Sequence, residues 1–568
     1  MNFPLPVALN RLAAALRVFS FGIARARAQT SKVRRGPAFR QLPGACSSMS
    51  SPLLRTLLRP THWAALLAGV ALGGSLLLTQ ACRAASQVHW PVPPPPPLDR
   101  SEPVLWVALA AHLGPRPGVD PTTAPALKLE SQAGPLMLSD ARGRQWRGSS
   151  LNLLWRRVPL KEPLSLQRTI LGPFPSFERA EQVAQAWRQQ GVSAVIAHPG
   201  DWEVWGGPES PAPSLGGARL AARQQRSVVR DRLVLGLREP GGFKVLEGPL
   251  QLSAPSGLRW GGGLFKGPFR LQSDAYGSWS LIEQVPLERY LQGVLPHEIG
   301  AGAPAAALEA QAVLARTWAV RNRHRFQVDG YHLCADTQCQ VYADPRQAGG
   351  GVRRAIDATR SQVLLWQGRP IHAVYHASNG GMAAGFEEAW GGEPLPYLKS
   401  RPDGPAAFER SFAVPLNEPA RLRRLLMEGS SAHGSAHPRF RWQRSLDRAG
   451  ITAALGPRAN AVGEPQQLNV LERGASGRVL ALEVRGKAGG LVLRFDAIRR
   501  TFRQLPSTLF VVTPEGPGRW SLVGGGFGHG AGLSQAGALD LAQRGWLAAR
   551  ILKRYYPGTT LQSLPLEP

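Results

Sequence analysis

Apolar and polar positions between residues 285 and 324 follow the period of a helix, and this pattern is interrupted once. The first apolar face consists of Leu287, Leu291 and Val294. A second apolar run begins at Pro304 and continues to about residue 324. The spacing predicts two helices that meet at a break, and Glu298 lies in that break. A carboxyl shielded at such a junction can keep its proton near neutral pH, which makes Glu298 a candidate general acid.

Residues 167–205 carry a second clear pattern. Residues 169–174 predict the end of a strand and a turn, after which Ser176 is a typical helix N-cap. The helix that follows has apolar residues at helical spacing, namely Ala180, Val183, Ala184 and Trp187. Residues 192–197 then predict another strand. The segment is therefore a strand–helix–strand unit.

Most of the remaining pattern predicts short strands interleaved with helices. Residues 230–280 alternate apolar and polar positions between glycines and prolines, and strand patterns return at 363–375 and 480–495. A Gly-rich loop near the end of the chain leads into a helix at about 533–544. This order of elements predicts an α+β fold.

These patterns suggest a division of the chain. We expect an αβ region at 101–215 and a larger domain at 228–562. A polar, weakly patterned stretch at about 406–463 interrupts the larger domain as an insertion. Before both lies a proline-rich linker at 86–100, which we interpret as a stiff spacer.

The first 85 residues predict a targeting region. Residues 63–78 form an uninterrupted run of apolar and small residues that follows Arg55 and Arg59, which is typical of a secretory signal. Sixteen residues are short for a membrane span, which needs about 20. We therefore expect an exported protein of the periplasm or cell envelope, with retention as an inner-membrane anchor as the alternative. Either Met1 or Met49 could begin the chain.

The formal net charge is +29, and it is spread along the whole chain. A biased codon composition explains such a charge, as does attraction to a polyanion such as a cell-wall glycan or a membrane surface. We find no zinc-finger spacing, RNA-binding signature or basic heptad, so we predict no nucleic-acid partner. Four cysteines in 568 residues exclude a disulfide-dense scaffold.

Four separated segments together resemble the stage II sporulation protein D/LytB family. They are residues 285–318, residues 334–342, the Tyr375-His376-Ala377-Ser378-Asn379-Gly380-Gly381 run with Trp390-Gly391-Gly392 and residues 395–400, and Gly526–Gln535 with Tyr555–Thr559. The segments occur in the family's order, and the resemblance covers about residues 233–561. Active members of the family are lytic transglycosylases that cut peptidoglycan glycan strands stripped of stem peptides. Another branch is described as enhancing a cell-wall amidase.

The resemblance assigns roles to individual residues. Glu298 matches the family's catalytic acid. The residues matched to positions around it, or expected to line the groove, are Arg316, Tyr397, Lys399, His529, Ser534 and Gln535. One acid is enough for a lytic transglycosylase, because the C6 hydroxyl of the muramic acid itself is the nucleophile, whereas ordinary glycosidases need two carboxyl groups. For His529, a packed histidine that orients its loop is an equal alternative.

Cys334 and Cys339 are the two cysteines of the exported part. Family members can hold a zinc ion here with Cys and His ligands, and His332 would be the third ligand. Gln338 departs from that pattern, and two cysteines with one histidine leave zinc a ligand short. In an oxidising compartment a Cys334–Cys339 disulfide is the favoured alternative. No cofactor is required by the proposed chemistry, and a structural zinc stays open.

Residues 167–205 also resemble half of a SPOR domain, a module that binds peptide-free peptidoglycan. An ordinary strand–helix–strand piece of a larger domain is the alternative. The resemblances together predict a lytic transglycosylase that cleaves the MurNAc–GlcNAc bond. A non-catalytic glycan-binding enhancer of a cell-wall amidase is the second hypothesis. Both predict glycan strands as the partner, and the second adds an amidase.

Overall fold

The computed structural model describes residues 87–99, 102–116, 118–215 and 218–564. The expected targeting region at 1–85, including the apolar run at 63–78, lies outside the described residues. None of the helices within the described ranges is both long and apolar enough to cross a membrane. The fold class is α+β, as the sequence predicts.

Helices are numbered here in chain order over the described residues. They are α1 (Phe177–Gln189), α2 (Leu287–Leu295), α3 (Ala305–Arg321), α4 (Gly350–Ala358), α5 (Phe386–Trp390), α6 (Ala406–Ser411), α7 (Pro419–Glu428), α8 (Arg448–Leu455), α9 (Ala459–Val462), α10 (Asp496–Thr501), α11 (Gln535–Gln543) and α12 (Ala548–Tyr555). The start of α1 is where the sequence places it, because the Ser176 side chain accepts a hydrogen bond from the Arg179 N–H.

Two large sheets contain most of the strands before residue 287. In spatial order, one sheet consists of Leu333–Cys334, Val104–Leu113, Trp279–Pro286, Phe269–Ser273, Leu250–Ser253, Leu136–Ser139 and Gln145–Gly148. The other consists of Gly242–Val245, Ala222–Glu239, Ser150–Phe174, Leu127–Ser131, Leu258–Trp260 and Gly263–Phe265, and Trp202–Gly206 joins Ser150–Phe174 to Val195–Ala197.

The strands after residue 360 form small sheets, and one short pair lies earlier. These sheets are Arg369–Pro370 with Gln362–Trp366 and Thr560–Ser563; Tyr375–His376 with Leu533–Ser534; Met382–Ala383 with Arg401–Pro402; Arg441–Asp447 with Arg519–Gly525 and Phe510–Pro514; and Pro465–Arg473 with Val479–Gly486 and Gly490–Arg494. The earlier pair is Ser214–Leu215 with Ala218–Arg219. The Tyr375–His376 pairing is parallel, and it brings the end of the chain beside residue 375.

The structure does not separate residues 101–215 from residues 228–562. The strand Val104–Leu113 pairs with Trp279–Pro286, and Ser150–Phe174 pairs with Ala222–Glu239. One apolar core likewise includes fully buried residues from both sides of the expected boundary, among them Leu105, Leu291, Leu314 and Leu533. Sequence patterns show which segments are strands but not which strands pair across long separations, so the expected boundary has no counterpart in the sheets.

The expected insertion at 406–463 is part of a larger folded lobe. Apolar residues from α6 and α7, such as Phe408 and Leu425, pack in one core. Another core joins Ile451 of α8 to Val484 and Phe510, which follow the expected insertion. We call residues 406–526 the second lobe. The polar composition of 406–463 does not predict this core, because the apolar residues that pack against this segment lie later in the chain.

The proline-rich segment lies against the folded body. The Trp90 N–H donates to the Ala275 carbonyl, and the His332 Nε2 is 3.0 Å from the Pro96 carbonyl oxygen. The expectation of a spacer therefore does not fit residues 87–97 as the structure has them.

The Gly-rich loop at 526–532 packs tightly against the backbone. Gly532 has φ +73°, and a Cβ atom there would lie 2.0 Å from the Val374 carbonyl oxygen. A Cβ on Gly530 would lie 2.2 Å from the Arg478 guanidinium, which is fully buried and donates to the carbonyls of Asn379 and Met382. The lack of a side chain at these glycines allows this close backbone approach.

Gly532→Ala is expected to destabilise the fold through this steric contact. Gly516 is the matched control, because its φ is +89° but no atom lies within 4 Å of an added Cβ. Both alanines carry backbone strain, whereas Gly532→Ala also overpacks, which costs about 1–3 kcal/mol more. Thermal and urea unfolding measure the difference. Equal losses for the two variants would contradict the packing described here.

Candidate active site

Glu298 lies in a distorted turn between α2 and α3. Pro296 follows the last residue of α2, and because proline has no backbone N–H it cannot continue the regular helical pattern. Residues Pro296–Gly300 instead form a π-helical turn. Gly300, at φ +89°, then redirects the chain toward α3. The sequence predicts this break correctly.

The far end of the chain fixes this turn. The Gln535 Nε2 donates a hydrogen bond of 2.9 Å to the backbone carbonyl of Glu298. Gln535 is the first residue of α11, and it stands next to the short strand that pairs with Tyr375–His376. The parallel strand pair thus brings Gln535 to the turn, where it holds the backbone that carries the carboxyl.

A cavity of about 290 Å³ opens beside Glu298. Segments from distant parts of the sequence form its wall: the start of α1, the loop at 337–341, Tyr375, Trp390, α10 and His529. Aromatic and charged side chains both line it. Such a mixture is typical of sites that bind polar ligands with flat faces, sugars among them.

The Glu298 carboxyl is held by neutral donors. The residue is half-buried, and its Oε1 accepts a hydrogen bond of 3.1 Å from the Val341 N–H. The Tyr375 hydroxyl forms a second hydrogen bond to the carboxyl. Burial raises the pKa of Glu298 to about 7, although the two hydrogen bonds oppose it by favouring the charged form. The carboxyl is therefore able to hold and release a proton near neutral pH.

Tyr375 is itself positioned by a chain of hydrogen bonds. The Tyr290 hydroxyl donates to the Gln340 Oε1 at 3.2 Å, and the Gln340 Nε2 donates to the Tyr375 oxygen at 2.9 Å. Burial raises the pKa of both tyrosines well above the usual value, so both hydroxyls keep their protons. Because the Tyr375 oxygen accepts from Gln340, its own hydroxyl hydrogen stays available to Glu298.

The other two carboxylates of the cavity are paired with cations. Glu178 binds the buried guanidinium of Arg325. Asp496 accepts hydrogen bonds from Arg499 and Arg500, at 2.9 Å from each. Burial alone would raise the pKa of Asp496, but the two guanidinium groups lower it below its usual range. Glu298 thus differs from both neighbours in its partners, and from Asp496 in the direction of its pKa shift.

His529 lines the cavity but directs both ring nitrogens at the backbone. Its Nε2 lies 2.9 Å from the Tyr375 carbonyl, and its Nδ1 accepts from the Ala531 N–H at 3.2 Å. Burial lowers the pKa of His529 to about 4, so the ring is neutral. The ring centroid lies 4.8 Å from that of Trp390. These contacts match the alternative in which His529 orients its loop.

Arg316 lies outside this cavity. Its guanidinium is fully buried and binds both carboxylate oxygens of Glu288, at 2.8 and 2.6 Å. It also donates to the Gln362 carbonyl at 3.1 Å. This position joins α2 to α3, so the structure does not support the expected contact of Arg316 with substrate.

Tyr397, Lys399 and Ser534 also do not line the Glu298 cavity. Tyr397 lines a second, larger cavity, and its hydroxyl accepts from the His372 N–H at 3.2 Å. Lys399 is exposed on the surface and is not part of either cavity's lining. Ser534 caps α11 by accepting from the Gly537 N–H. Of the six residues expected around Glu298, the structure brings His529 and Gln535 to its turn or cavity.

Cys334 and Cys339 form a disulfide. His332 directs both ring nitrogens at the backbone. Its Nδ1 accepts from the Trp106 N–H at 2.9 Å, and its Nε2 contacts the Pro96 carbonyl. Within the described ranges no cluster of three or more His, Cys, Asp or Glu side chains is arranged to hold a metal ion. The Cys339 side of the bridge lines the cavity, so the disulfide helps to shape the loop that donates to Glu298.

Several residues of the site were not singled out from the sequence. Val341 and Gln340 lie in one of the four recognised segments, and Tyr375 begins another, so position within those segments was the available signal. Arg499 and Arg500 had no such signal. Their place in the cavity depends on the packing of the second lobe, which local patterns do not encode.

Comparison with known proteins finds two matched segments in this chain. Residues 275–366, which contain Glu298, match the family model described as Stage II sporulation protein, and residues 384–532 match a domain of unknown function (DUF8618). An uncharacterized protein of Brachyspira hyodysenteriae is 25% identical over 349 residues, covering 59% of this chain and 81% of that protein.

Two named relatives come from Bacillus subtilis. The amidase enhancer is 26% identical over 300 residues, or 48% of this chain, and the chain spans only 40% of that protein's length. Stage II sporulation protein D is 25% identical over 303 residues, covering 49% of this chain and 75% of that protein. The segment that matches the family model includes the turn that carries Glu298, so this part of the chain is similar to the stage II sporulation protein D family.

Proposed function

We propose that this protein is a peptidoglycan lytic transglycosylase that cleaves the MurNAc–GlcNAc bond of peptide-free strands, with Glu298 as its acid and base. One observation carries the proposal: a carboxyl with a pKa of about 7 opens into a cavity lined by aromatic and charged side chains. A general acid works best when its pKa lies near the working pH.

Bond cleavage begins with proton transfer. The protonated Glu298 carboxyl donates its proton to the oxygen that leaves with the GlcNAc unit, while positive charge develops at C1 of the muramic acid. The Val341 N–H and the Tyr375 hydroxyl fix the carboxyl. As Glu298 becomes a carboxylate, these two hydrogen bonds strengthen and stabilise the new charge.

The second half of the reaction uses the substrate's own hydroxyl. The C6 oxygen of the muramic acid forms a bond to C1, and the C6 hydroxyl proton passes to the Glu298 carboxylate. The products are a strand with a 1,6-anhydro end and a strand with a free GlcNAc hydroxyl. The enzyme returns to its protonated state and no water is consumed.

The pairing of the other carboxylates favours this route over hydrolysis. A hydrolytic glycosidase needs a second carboxylate to activate water or to attack the sugar. Glu178 is bound to Arg325, and Asp496 is bound to Arg499 and Arg500. An ion-paired carboxylate is a weaker base and nucleophile, because the cation stabilises its charge.

The relatives support a cell-wall-related role for the chain. They also give a second candidate function, because one relative is named amidase enhancer. In that role the cavity would bind glycan without cutting it, and a cell-wall amidase would be the partner. The two functions differ in product chemistry and in their dependence on Glu298.

Both functions require export. The apolar run at 63–78 would direct the chain across the inner membrane, so that the folded part works in the periplasm or cell envelope. Residues 167–205 would add affinity for stripped strands if they act as a SPOR-like module.

Glu298→Gln is expected to abolish release of 1,6-anhydro fragments from peptide-free glycan. Loss of a general acid typically costs at least about 100-fold in rate. Mass spectrometry of the digestion products measures the release of these fragments. Glu393→Gln, which removes an exposed carboxylate, is the control. Reducing muramic ends instead of anhydro ends would show hydrolysis and contradict the mechanism.

The enhancer hypothesis has a separate test. If the wild-type protein releases no fragments from stripped glycan but accelerates a purified cell-wall amidase, and Glu298→Gln does so equally, the chain is an enhancer. The transglycosylase proposal expects fragments from the wild-type protein alone.

The pH dependence of kcat/KM should follow the Glu298 pKa. Because the protonated carboxyl is the active form, kcat/KM is expected to fall as pH rises above about 7. The Tyr375 hydrogen bond lowers this pKa, so Tyr375→Phe should move the alkaline limb to higher pH. Tyr331→Phe, which changes a buried tyrosine outside the cavity, should leave the limb in place. An acid shift in Tyr375→Phe would contradict the assignment.

The same carboxyl should make stability depend on pH. Its folded-state pKa is raised from 4.5 to about 7, so its stabilising contribution is fully present below about pH 4.5 and is lost as pH rises through 7. Glu298→Gln should therefore raise the thermal midpoint relative to wild type at pH 8 but not at pH 4.5. Thermal unfolding at the two pH values measures this. A destabilising effect at pH 8 would show that the ionised carboxyl is well accommodated.

A further inference from the structure

Two arginines of the second lobe belong to the wall of the Glu298 cavity. Arg499 and Arg500 both lie on α10, and both line the cavity together with Asp496. This helix lies outside the segment matched by the sporulation-protein model and inside the segment matched by the domain of unknown function. The proposed chemistry at Glu298 gives these arginines no role.

Asp496 holds the two guanidinium groups in place. Its Oδ1 accepts from Arg499 at 2.9 and 3.1 Å, and its Oδ2 accepts from Arg500 at 2.9 Å. Asp496 is buried, whereas the side chains of Arg499 and Arg500 are 30% and 41% exposed. Each guanidinium has five N–H donors, which is more than the bonds to Asp496 use. Asp496 thus fixes the position of both guanidinium groups, and their remaining N–H donors are available to a ligand.

The charges of the cavity lining do not cancel. Arg325 and Glu178 balance each other, while one carboxylate, Asp496, faces two guanidinium groups. Neither Glu298, with its raised pKa, nor the neutral His529 adds a compensating negative charge in the acid form of the site. The lining therefore has one excess positive charge, which favours a ligand with a carboxylate.

A peptide-free glycan strand has such a group. Each muramic acid unit carries a lactyl ether, and its carboxyl is free when the stem peptide has been removed. In a peptide-bearing strand the same carboxyl is an uncharged amide. The planar guanidinium binds a carboxylate with two parallel hydrogen bonds, which it cannot form with an amide oxygen alone.

We infer that Arg499 and Arg500 bind the free lactyl carboxylate of the muramic acid and make the site select stripped strands. The inference rests on the proposed function, since it takes the glycan strand as the ligand of the cavity. It assigns the choice of substrate to the second lobe and the chemistry to the turn that carries Glu298. Peptide-bearing strands would lose this ion pair, and the excess positive charge of the lining would stay without a ligand carboxylate.

Binding by the Glu298→Gln protein tests the inference without cleavage. The two probes are peptide-free glycan strands and the same strands with their lactyl carboxyls converted to methylamides. Calorimetric titration of the full chain should show about tenfold tighter binding of the free acid, because hydrogen bonds to charged groups contribute at this level. Adding Arg499→Gln and Arg500→Gln should remove most of this preference.

The control is Arg503→Gln, which removes a positive charge just after α10 at an exposed position outside the cavity. It should keep the preference, as should Arg500→Lys in part. If the double variant does not fold by circular dichroism, the two single variants carry the test, and each should lose part of the preference. Equal binding of both probes by the parent, or a preference that survives the arginine changes, would overturn the inference.

The outcomes also separate this inference from the proposed function. Preferential binding of the free acid without release of anhydro fragments by the wild-type protein would sustain the role of the arginines and refute the enzyme. Release of fragments at equal rates from both probes would sustain the enzyme and refute the role of the arginines.

Discussion

The site depends on a balance between burial and hydrogen bonding at one carboxyl. Burial alone would hold the Glu298 proton tightly, and the donors Val341 N–H and Tyr375 hydroxyl work against it. The result is a pKa of about 7, at which the group can both give and regain a proton. A charged donor in place of either neutral one would lower the pKa further and leave a carboxylate that protonates poorly at neutral pH.

Much of the surrounding structure serves to keep that balance. The Tyr290–Gln340–Tyr375 chain fixes the direction of one donor, and the Cys334–Cys339 disulfide shapes the loop that supplies the other. Gln535 holds the backbone of the turn. The parallel strand pair and the close-packed glycines bring Gln535 and His529 to this point. Segments more than two hundred residues apart in the sequence thus hold the Glu298 carboxyl in place.

The sequence predicted features that depend on neighbouring residues. The break between α2 and α3, the cap at Ser176 and the helix after the Gly-rich loop all follow from local rules, and all are present. Features that depend on long-range packing could not be predicted from the sequence in this way. The family resemblance matched Arg316 to a position around Glu298, yet the partner that determines its contacts, Glu288, lies on another helix. Similarly, α10 could not be placed in the cavity from the sequence, because the core that positions it combines segments on both sides of residue 463.

Two separate parts of the chain therefore contribute different groups to the cavity. The turn at 296–300 carries the carboxyl with the raised pKa, while the second lobe contributes cations to the same cavity. The central claim concerns the protonation of Glu298, and infrared difference spectroscopy measures it directly. Subtracting spectra of the Glu298→Gln protein from wild type should give a protonated-carboxyl band that disappears with a midpoint near pH 7. A midpoint at or below pH 4.5, the usual value for this group, would contradict the account.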